Sequence, residues 1–166
     1  MNIHGYSISR VNGPGKRFTL WTQGCMKKCP KCFNPETWSH KKNNILSPYE
    51  ILSLIENFED LDGITITGGD PFEQENELLS LLFLLHGKRY NKGVIVFSGF
   101  TKEQIEQNTI RKKCLEYIDV LIDGLYIDSL NSSVDLRGSE NQKFHFFSDK
   151  IKEEDIVFIS NLLNEM

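Results

Sequence analysis

The 166-residue chain has little cysteine: four residues, three of them within the eight positions from Cys25 to Cys32. So few thiols give no disulfide framework, and with no signal peptide in view the expected setting is the reducing cytoplasm. No apolar run is long enough to span a bilayer, so no membrane association is expected. Positive charge is not in surplus either. Nineteen basic side chains stand against 23 acidic ones, a net charge of −4, which makes no case for binding nucleic acid. Low-complexity tracts and internal repeats are also missing. A composition 39% hydrophobic and 25% charged is that of an ordinary globule, long enough to bury a core as one domain.

What is there is concentrated in Cys25-Met-Lys-Lys-Cys29-Pro-Lys-Cys32. Three thiols this close cannot each staple a different part of a fold, so they converge on one small object. Structural zinc takes four protein ligands, and the remaining cysteine, Cys114, stands alone in the charged segment Arg111-Lys-Lys-Cys114-Leu-Glu116. A [4Fe–4S] cluster normally takes four thiolates; three leave one iron open to a further ligand. The spacing favours such a cluster over zinc or a redox dithiol. The lysines at 27, 28 and 31 form either a solvated loop face or a positive rim for an anion.

Around this loop the pattern is strand and helix in alternation. A polar stretch, residues 1–16, ends in the turn Asn12-Gly13-Pro14-Gly15, and Phe18–Thr22 reads as a first strand whose carboxyl end delivers the cysteine loop. Ser47-Pro48-Tyr49-Glu50 opens a helix through a capping box. Gly63–Thr67 is a second strand, ending in Gly68-Gly69-Asp70-Pro71, where two glycines let backbone approach a ligand closely. Glu73 to about His86 predicts an amphipathic helix with Leu78, Leu79, Leu81, Leu82 and Leu85 inward. Val94–Phe97 is a third strand, followed by Ser98-Gly99 and a helix capped at Thr101-Lys-Glu-Gln104. Val120–Ile122 is a fourth strand and ends in Asp123-Gly124; Lys143–Phe147 is a last one, with His145 structural. Ile156–Ile159 is an extra strand or a docking element. Alternation implies parallel pairing, and fewer than eight units imply an α/β fold of the open, partial (β/α) barrel kind.

The C-x₃-C-x₂-C motif resembles that of the radical S-adenosylmethionine (SAM) enzymes. The run Val11–Leu20, then Gly24-Cys25, Cys29-Pro30, Cys32-Phe33-Asn34, Thr37-Trp38, Gly68-Gly69-Asp70-Pro71, Ser98-Gly99-Phe100, Asp119–Gly124 and Leu136–Gln142 resemble the activating proteins of anaerobic ribonucleoside-triphosphate reductase. The resemblance runs from about residue 3 to about 147, so a single domain is expected over 1–166, with 148–166 a variable C-terminal segment. It implies Cys25, Cys29 and Cys32 as ligands of one [4Fe–4S] cluster whose fourth iron is chelated by SAM. Gly68, Gly69 and Asp70 are then expected to hold the SAM amino group, and Ser98 to meet the methionine or ribose part or to serve turn chemistry. Asp123 is a turn cap or a contact to ribose, the amino group or a cation. Arg137 pairs with the SAM carboxylate or the partner protein, and a positive rim of Lys27, Lys28 and Lys31 would favour an anionic partner or that same carboxylate. Two positions depart from the pattern: Asn12 replaces a common aspartate, and Lys31 replaces an aromatic before the third cysteine, so that Phe33 and the backbone of 31–33 take over the adenine. The implied reaction is reductive cleavage of SAM, with the 5′-deoxyadenosyl radical taking a hydrogen atom from a glycine of a large glycyl-radical enzyme. A flavodoxin- or ferredoxin-like protein supplies the electron. The competing readings are a minimal radical SAM enzyme acting on a peptide or small molecule, and a non-catalytic cluster- or zinc-binding module.

Overall fold

The computed structural model describes residues 1–88, 90–131 and 135–157. Its frame is a seven-stranded sheet of β1 (Asn2–Ser9), β2 (Arg17–Thr22), β3 (Asn44–Ile45), β4 (Gly63–Gly68), β5 (Gly93–Ser98), β6 (Val120–Asp123) and β7 (Lys143–Phe146), in the order β3-β1-β2-β4-β5-β6-β7. The four central strands, β2, β4, β5 and β6, are parallel. The outer ones are antiparallel to their neighbours. The mostly parallel α/β core therefore agrees with the expected one, and its four strands are the four apolar runs read as strands.

Helices α1 (Pro48–Glu56), α2 (Glu75–Gly87), α3 (Lys102–Glu106) and α4 (Thr109–Cys114) connect the parallel strands. The caps at α1 and α3 are full capping boxes, Ser47 with Glu50 and Thr101 with Gln104, each satisfying two otherwise orphaned amides. Period-two alternation divides the sheet into two faces. Ile64, Ile66, Val94, Val96 and Leu121 pack with Leu78, Leu81, Leu82 and Leu85 of α2 and with Ile51 and Ile55 of α1. Ile95, Val120 and Ile122 point the other way, onto Ile151 and Ile156. Each fully buried leucine in the first cluster contributes roughly 1.5–3 kcal/mol. Cys114 belongs to this core, and burial pushes its thiol up to about 12.

At the amino ends of the strands sits Arg17, 1% exposed. It donates from Nε to Thr65 Oγ1 at 2.8 Å, from Nη2 to the carbonyls of Ile64 at 2.6 Å and Gly93 at 2.7 Å, and from Nη1 to the Pro14 carbonyl at 3.2 Å. Burial lowers its pKa to about 10, against the raising charges of Tyr90, Asp119 and Asp62. The guanidinium is thus a buried clasp across β2, β4 and β5, and among the described residues no carboxylate is hydrogen-bonded to it.

Three expectations are corrected. The stretch 1–16, read as polar with a closing turn, contains β1. Ile3 is the only buried residue of β1, and an irregularity in register between Ile3 and Gly5 breaks its alternation. Its place comes from pairing with β2 and from Tyr6 stacking on Phe18, ring centroids 5.1 Å apart. The helix expected from Glu73 starts as a 3-10 turn at Pro71–Gln74 before α2. Residues 153–157 are helical, so Ile156 and Val157 do not form the extra strand; Phe158 and Ile159 lie outside the described residues. No helix among the described residues is long and apolar enough to cross a membrane.

Candidate metal centre

The chain leaves β2 at Thr22 and enters the cysteine loop, which backbone bonds fasten at its base. Gly24 N–H donates to the Thr37 carbonyl at 2.7 Å and Cys25 N–H to that of Trp38 at 3.1 Å. Inside the loop Cys32 N–H donates to the Cys29 carbonyl at 3.1 Å. Lys28 and Lys31 adopt left-handed backbone, φ 46° and 56°, costly for side chains with a Cβ and held only where surroundings over-determine them. The Met26 amide is held by Glu73 Oε1 at 2.7 Å, and Glu73 Oε2 meets His40 Nε2 at 2.7 Å.

The end of β4 is laid against the base of the same loop. Gly69 N–H donates to the Thr22 carbonyl at 2.8 Å and Asp70 N–H to that of Gly24 at 2.9 Å. Gly68 has φ 97°, and a Cβ on Gly69 would run into the Gly24 carbonyl. These glycines admit another stretch of backbone, which is the closeness their turn was expected to provide for a ligand.

All three cysteines open onto one cavity of about 560 Å³ at the carboxyl ends of the parallel strands, with Gly68, Gly69, Asp70, Ser98, Phe33 and Arg137 also on its wall. That volume is ordinary for a cofactor pocket. Burial pushes the Cys25 thiol up, while amides of Lys27 and Lys28 directed at the sulfur act against it. The Asn34 amide reaches Cys32 Sγ at 3.4 Å. Among the described residues no three His, Cys, Asp or Glu side chains gather tightly enough to grip a single ion. Three thiols on one cavity wall, with amides aimed at sulfur, are a donor set that suits a [4Fe–4S] cluster with one iron left for a further ligand.

The remaining residues expected at the site take different positions. Asp70 is fully buried, its carboxylate accepting from Ser98 Oγ at 2.9 and 3.2 Å, Gly99 N at 2.9 Å and Phe72 N at 3.1 Å. Ser98 and Asp70 therefore bind each other across the strand ends. Arg137 clamps Asp135 through Nε and Nη2, at 3.0 and 2.8 Å, and donates from Nη1 to the carbonyls of Glu140 and Gln142. Phe33 is 63% exposed and lies 4.9 Å from the Tyr126 ring, centroid to centroid. Lys31 is turned outward to Asp128, at 2.7 Å.

Asp123 does not line the cavity. Its carboxylate accepts the Lys102 amide at the start of α3 and lies 3.1 Å from His145 Nε2, out of line for a hydrogen bond. Asp123 shares its face with Leu121 and holds the Lys102 amide at the start of α3, whereas its register partner Ser98, on the same face, lies at the cavity edge bonded to Asp70. Gln142, whose Oε1 accepts the Gly138 and Ser139 amides, is a wall residue to which sequence reasoning assigned no individual role; Lys27, read from the sequence as loop face or positive rim, is on the wall as well.

Burial pushes the Asp70 carboxyl up to about 6, against the lowering effects of its Ser98 and Gly99 bonds, the Lys27 charge and the Phe72 amide. An unfolded aspartate titrates near 3.9. Between those values the folded protein holds a proton that the unfolded chain has released. The contribution of Asp70 is therefore fully present below about 4 and is lost as pH rises through 6. That displacement is worth roughly 3 kcal/mol. In urea unfolding of the metal-free protein, the stability difference in favour of wild type over Asp70→Asn should be roughly 2–3 kcal/mol larger at pH 4 than at pH 7. A difference independent of pH would mean that this carboxyl ionises as it does in water.

Comparison with known proteins fixes the class first: a family model described as a 4Fe-4S single cluster domain matches residues 11–145. The chain is also 31% identical to the anaerobic ribonucleoside-triphosphate reductase-activating protein of Enterobacteria phage T4, covering 90% of this chain and 96% of that one. It is 33% identical to the protein of that name from Vibrio cholerae, over 89% and 99% of the two chains, and 31% identical to that of Escherichia coli K12, over 87% and 98%. The chain belongs to the family of anaerobic ribonucleoside-triphosphate reductase-activating proteins.

Proposed function

We propose that this chain is a radical SAM activase that generates a glycyl radical on an anaerobic ribonucleoside-triphosphate reductase. The observation that carries the reading is the meeting of Cys25, Cys29 and Cys32 with the Gly68-Gly69-Asp70 turn around one cavity at the carboxyl ends of four parallel strands. In this reading the sheet is the open, partial barrel of radical SAM proteins, and residues 1–166 form one domain. Cys25, Cys29 and Cys32 would hold a [4Fe–4S] cluster through three of its irons, and the fourth would be open to the amino and carboxylate groups of SAM. When bound, the reduced cluster and SAM supply a 5′-deoxyadenosyl radical that abstracts a hydrogen atom.

The protein's own part is positional. The Thr37 and Trp38 carbonyls fix the base of the ligand loop; the Lys27 and Lys28 amides work against burial to favour thiolate at Cys25, and the Asn34 amide reaches the Cys32 sulfur. Asp70 acts through the groups it holds: it locks Ser98 and the Gly99 amide at the cavity edge, leaving the carbonyls of the Gly68-Gly69 turn to meet the SAM amino group. Phe33, placed on Tyr126 beside the cavity, offers its face to the adenine, with the Lys31 backbone alongside. The unspent N–H of Arg137 is available to ligand or partner. Asp123 orders the start of α3 and reaches SAM only through that packing. A flavodoxin- or ferredoxin-like donor serves the cluster in the cytoplasm, and neither nucleic acid nor membrane takes part.

The test is anaerobic. After reconstitution with iron and sulfide, reduction and addition of SAM, wild type should release 5′-deoxyadenosine and raise a glycyl-radical signal in the reductase. Cys29→Ala should reduce both by at least a hundredfold. A fully loaded cluster that neither binds SAM nor yields 5′-deoxyadenosine would refute the activase reading.

A further inference from the structure

Two cationic side chains line the cavity, Lys27 and Arg137. Four of the five N–H groups of Arg137 are directed at Asp135 and at the Glu140 and Gln142 carbonyls. Lys27 is different. Among the described residues its ammonium has no hydrogen-bond acceptor and no carboxylate within ion-pair reach; it rests 3.3 Å from the centroid of the Phe100 ring. A ring face holds a cation electrostatically but leaves the three ammonium N–H groups unspent. The same ring carries the Arg111 guanidinium at 4.3 Å, itself tied to Glu75 at 3.4 Å.

The position of Lys27 is set from both ends. It lies two residues after Cys25, and its stem packs against the Cα of Gly99, where a Cβ would collide with it. Asp70, across Gly99, feels the Lys27 charge but neither accepts a hydrogen bond from the ammonium nor comes within ion-pair distance of it, its oxygens accepting from Ser98, Gly99 and Phe72. A half-buried ammonium left with donors and no acceptor is unfavourable unless something anionic joins it. Here the opening toward the cavity is where that partner would come from.

Resting on the activase reading above, we infer that Lys27 binds the carboxylate of the amino-acid end of SAM and so sets the orientation of that end beside the ligand loop. A point-like ammonium suits one carboxylate oxygen, leaving the other free for metal. Lys28, exposed and absent from the cavity wall, has no such part.

The experiment compares equilibrium binding of SAM with that of decarboxylated SAM, which keeps the sulfonium, amine, ribose and adenine and lacks only the carboxylate. Wild type, Lys27→Met, Lys27→Arg and Lys28→Met are matched for iron content. The ratio of the two affinities should fall about tenfold to a hundredfold in Lys27→Met, the worth of a charge-assisted bond. The loss should fall on SAM alone, with decarboxylated SAM bound as in wild type. Lys27→Arg should restore part of the ratio, and Lys28→Met should leave it unchanged. An unaltered ratio in Lys27→Met overturns the assignment, as does a fall of equal size for both ligands. Wild type that binds neither ligand refutes the activase reading together with this one.

Discussion

Replacing Gly69 by alanine should cost about 3 kcal/mol of folding stability and strip the metal centre of iron. The new Cβ would meet the carbonyl, carbon and nitrogen of Gly24, all backbone, with no flexible side chain able to move aside. Overpacking of this kind costs about 1–3 kcal/mol. The strain also falls on two hydrogen bonds, from Gly69 N to Thr22 O and from Asp70 N to Gly24 O, each worth about 1 kcal/mol. Gly24 is the residue before Cys25, so any movement that relieves the clash displaces the first thiol. Urea midpoints of the metal-free protein and iron bound per chain after reconstitution measure the two effects separately. Gly87→Ala is the control, since a Cβ there meets nothing within 4 Å, and it should stay within about 0.5 kcal/mol of wild type. If Gly69→Ala matched that control and kept its iron, the joint between β4 and the ligand loop would have slack the structure does not display.

The second large effect lies at the other end of the sheet. Arg17→Met should lose about 4 kcal/mol. The thioether fills part of the space but leaves Thr65 Oγ1 and the Ile64, Gly93 and Pro14 carbonyls without the donors they now have. Hydrogen bonds to a charged donor are worth about 1.5–3 kcal/mol each, and buried groups deprived of partners retain their desolvation penalty. Lysine should recover only a fraction, because one ammonium cannot reproduce the planar fork that reaches three strands. Iron uptake per folded molecule should be unchanged, since the cysteines sit at the carboxyl ends of the strands and Arg17 at the amino ends. A loss below 1 kcal/mol in chemical unfolding would show that water replaces the guanidinium there.

Neither effect is visible in the sequence by itself, and the reason is the same for both. A glycine after a strand announces a tight approach but not what approaches; here it is the backbone of Gly24. An arginine at the start of a strand reads as a surface residue until three strand ends are known to converge on it. By contrast, the capping boxes at Ser47 and Thr101 and the four parallel strands rest on residues close together in the chain, and they were readable as such. β1 and β3 were not, because each is held by its neighbour more than by its own pattern. At the site, the cysteine motif carried its meaning in its spacing. The directions of Lys31 and Asp123 depended on Asp128 and on the Lys102 amide, which only the folded chain brings near, whereas Arg137 is held by Asp135, two residues before it.

The set of thiols also differs from the sheet in how little chain separates its members, although the loop's base is held from further along by Gly69, Asp70 and Glu73 as well. The three thiols come from eight consecutive residues whose base is fastened to Thr37 and Trp38 nearby, whereas β2 must find β4, Arg17 opposite Gly63. Closing the first costs little chain entropy and the second costs more. Oxidative loss of iron would therefore be a local injury in a scaffold that stays assembled, and repair would ask only for iron, sulfide and electrons rather than for refolding.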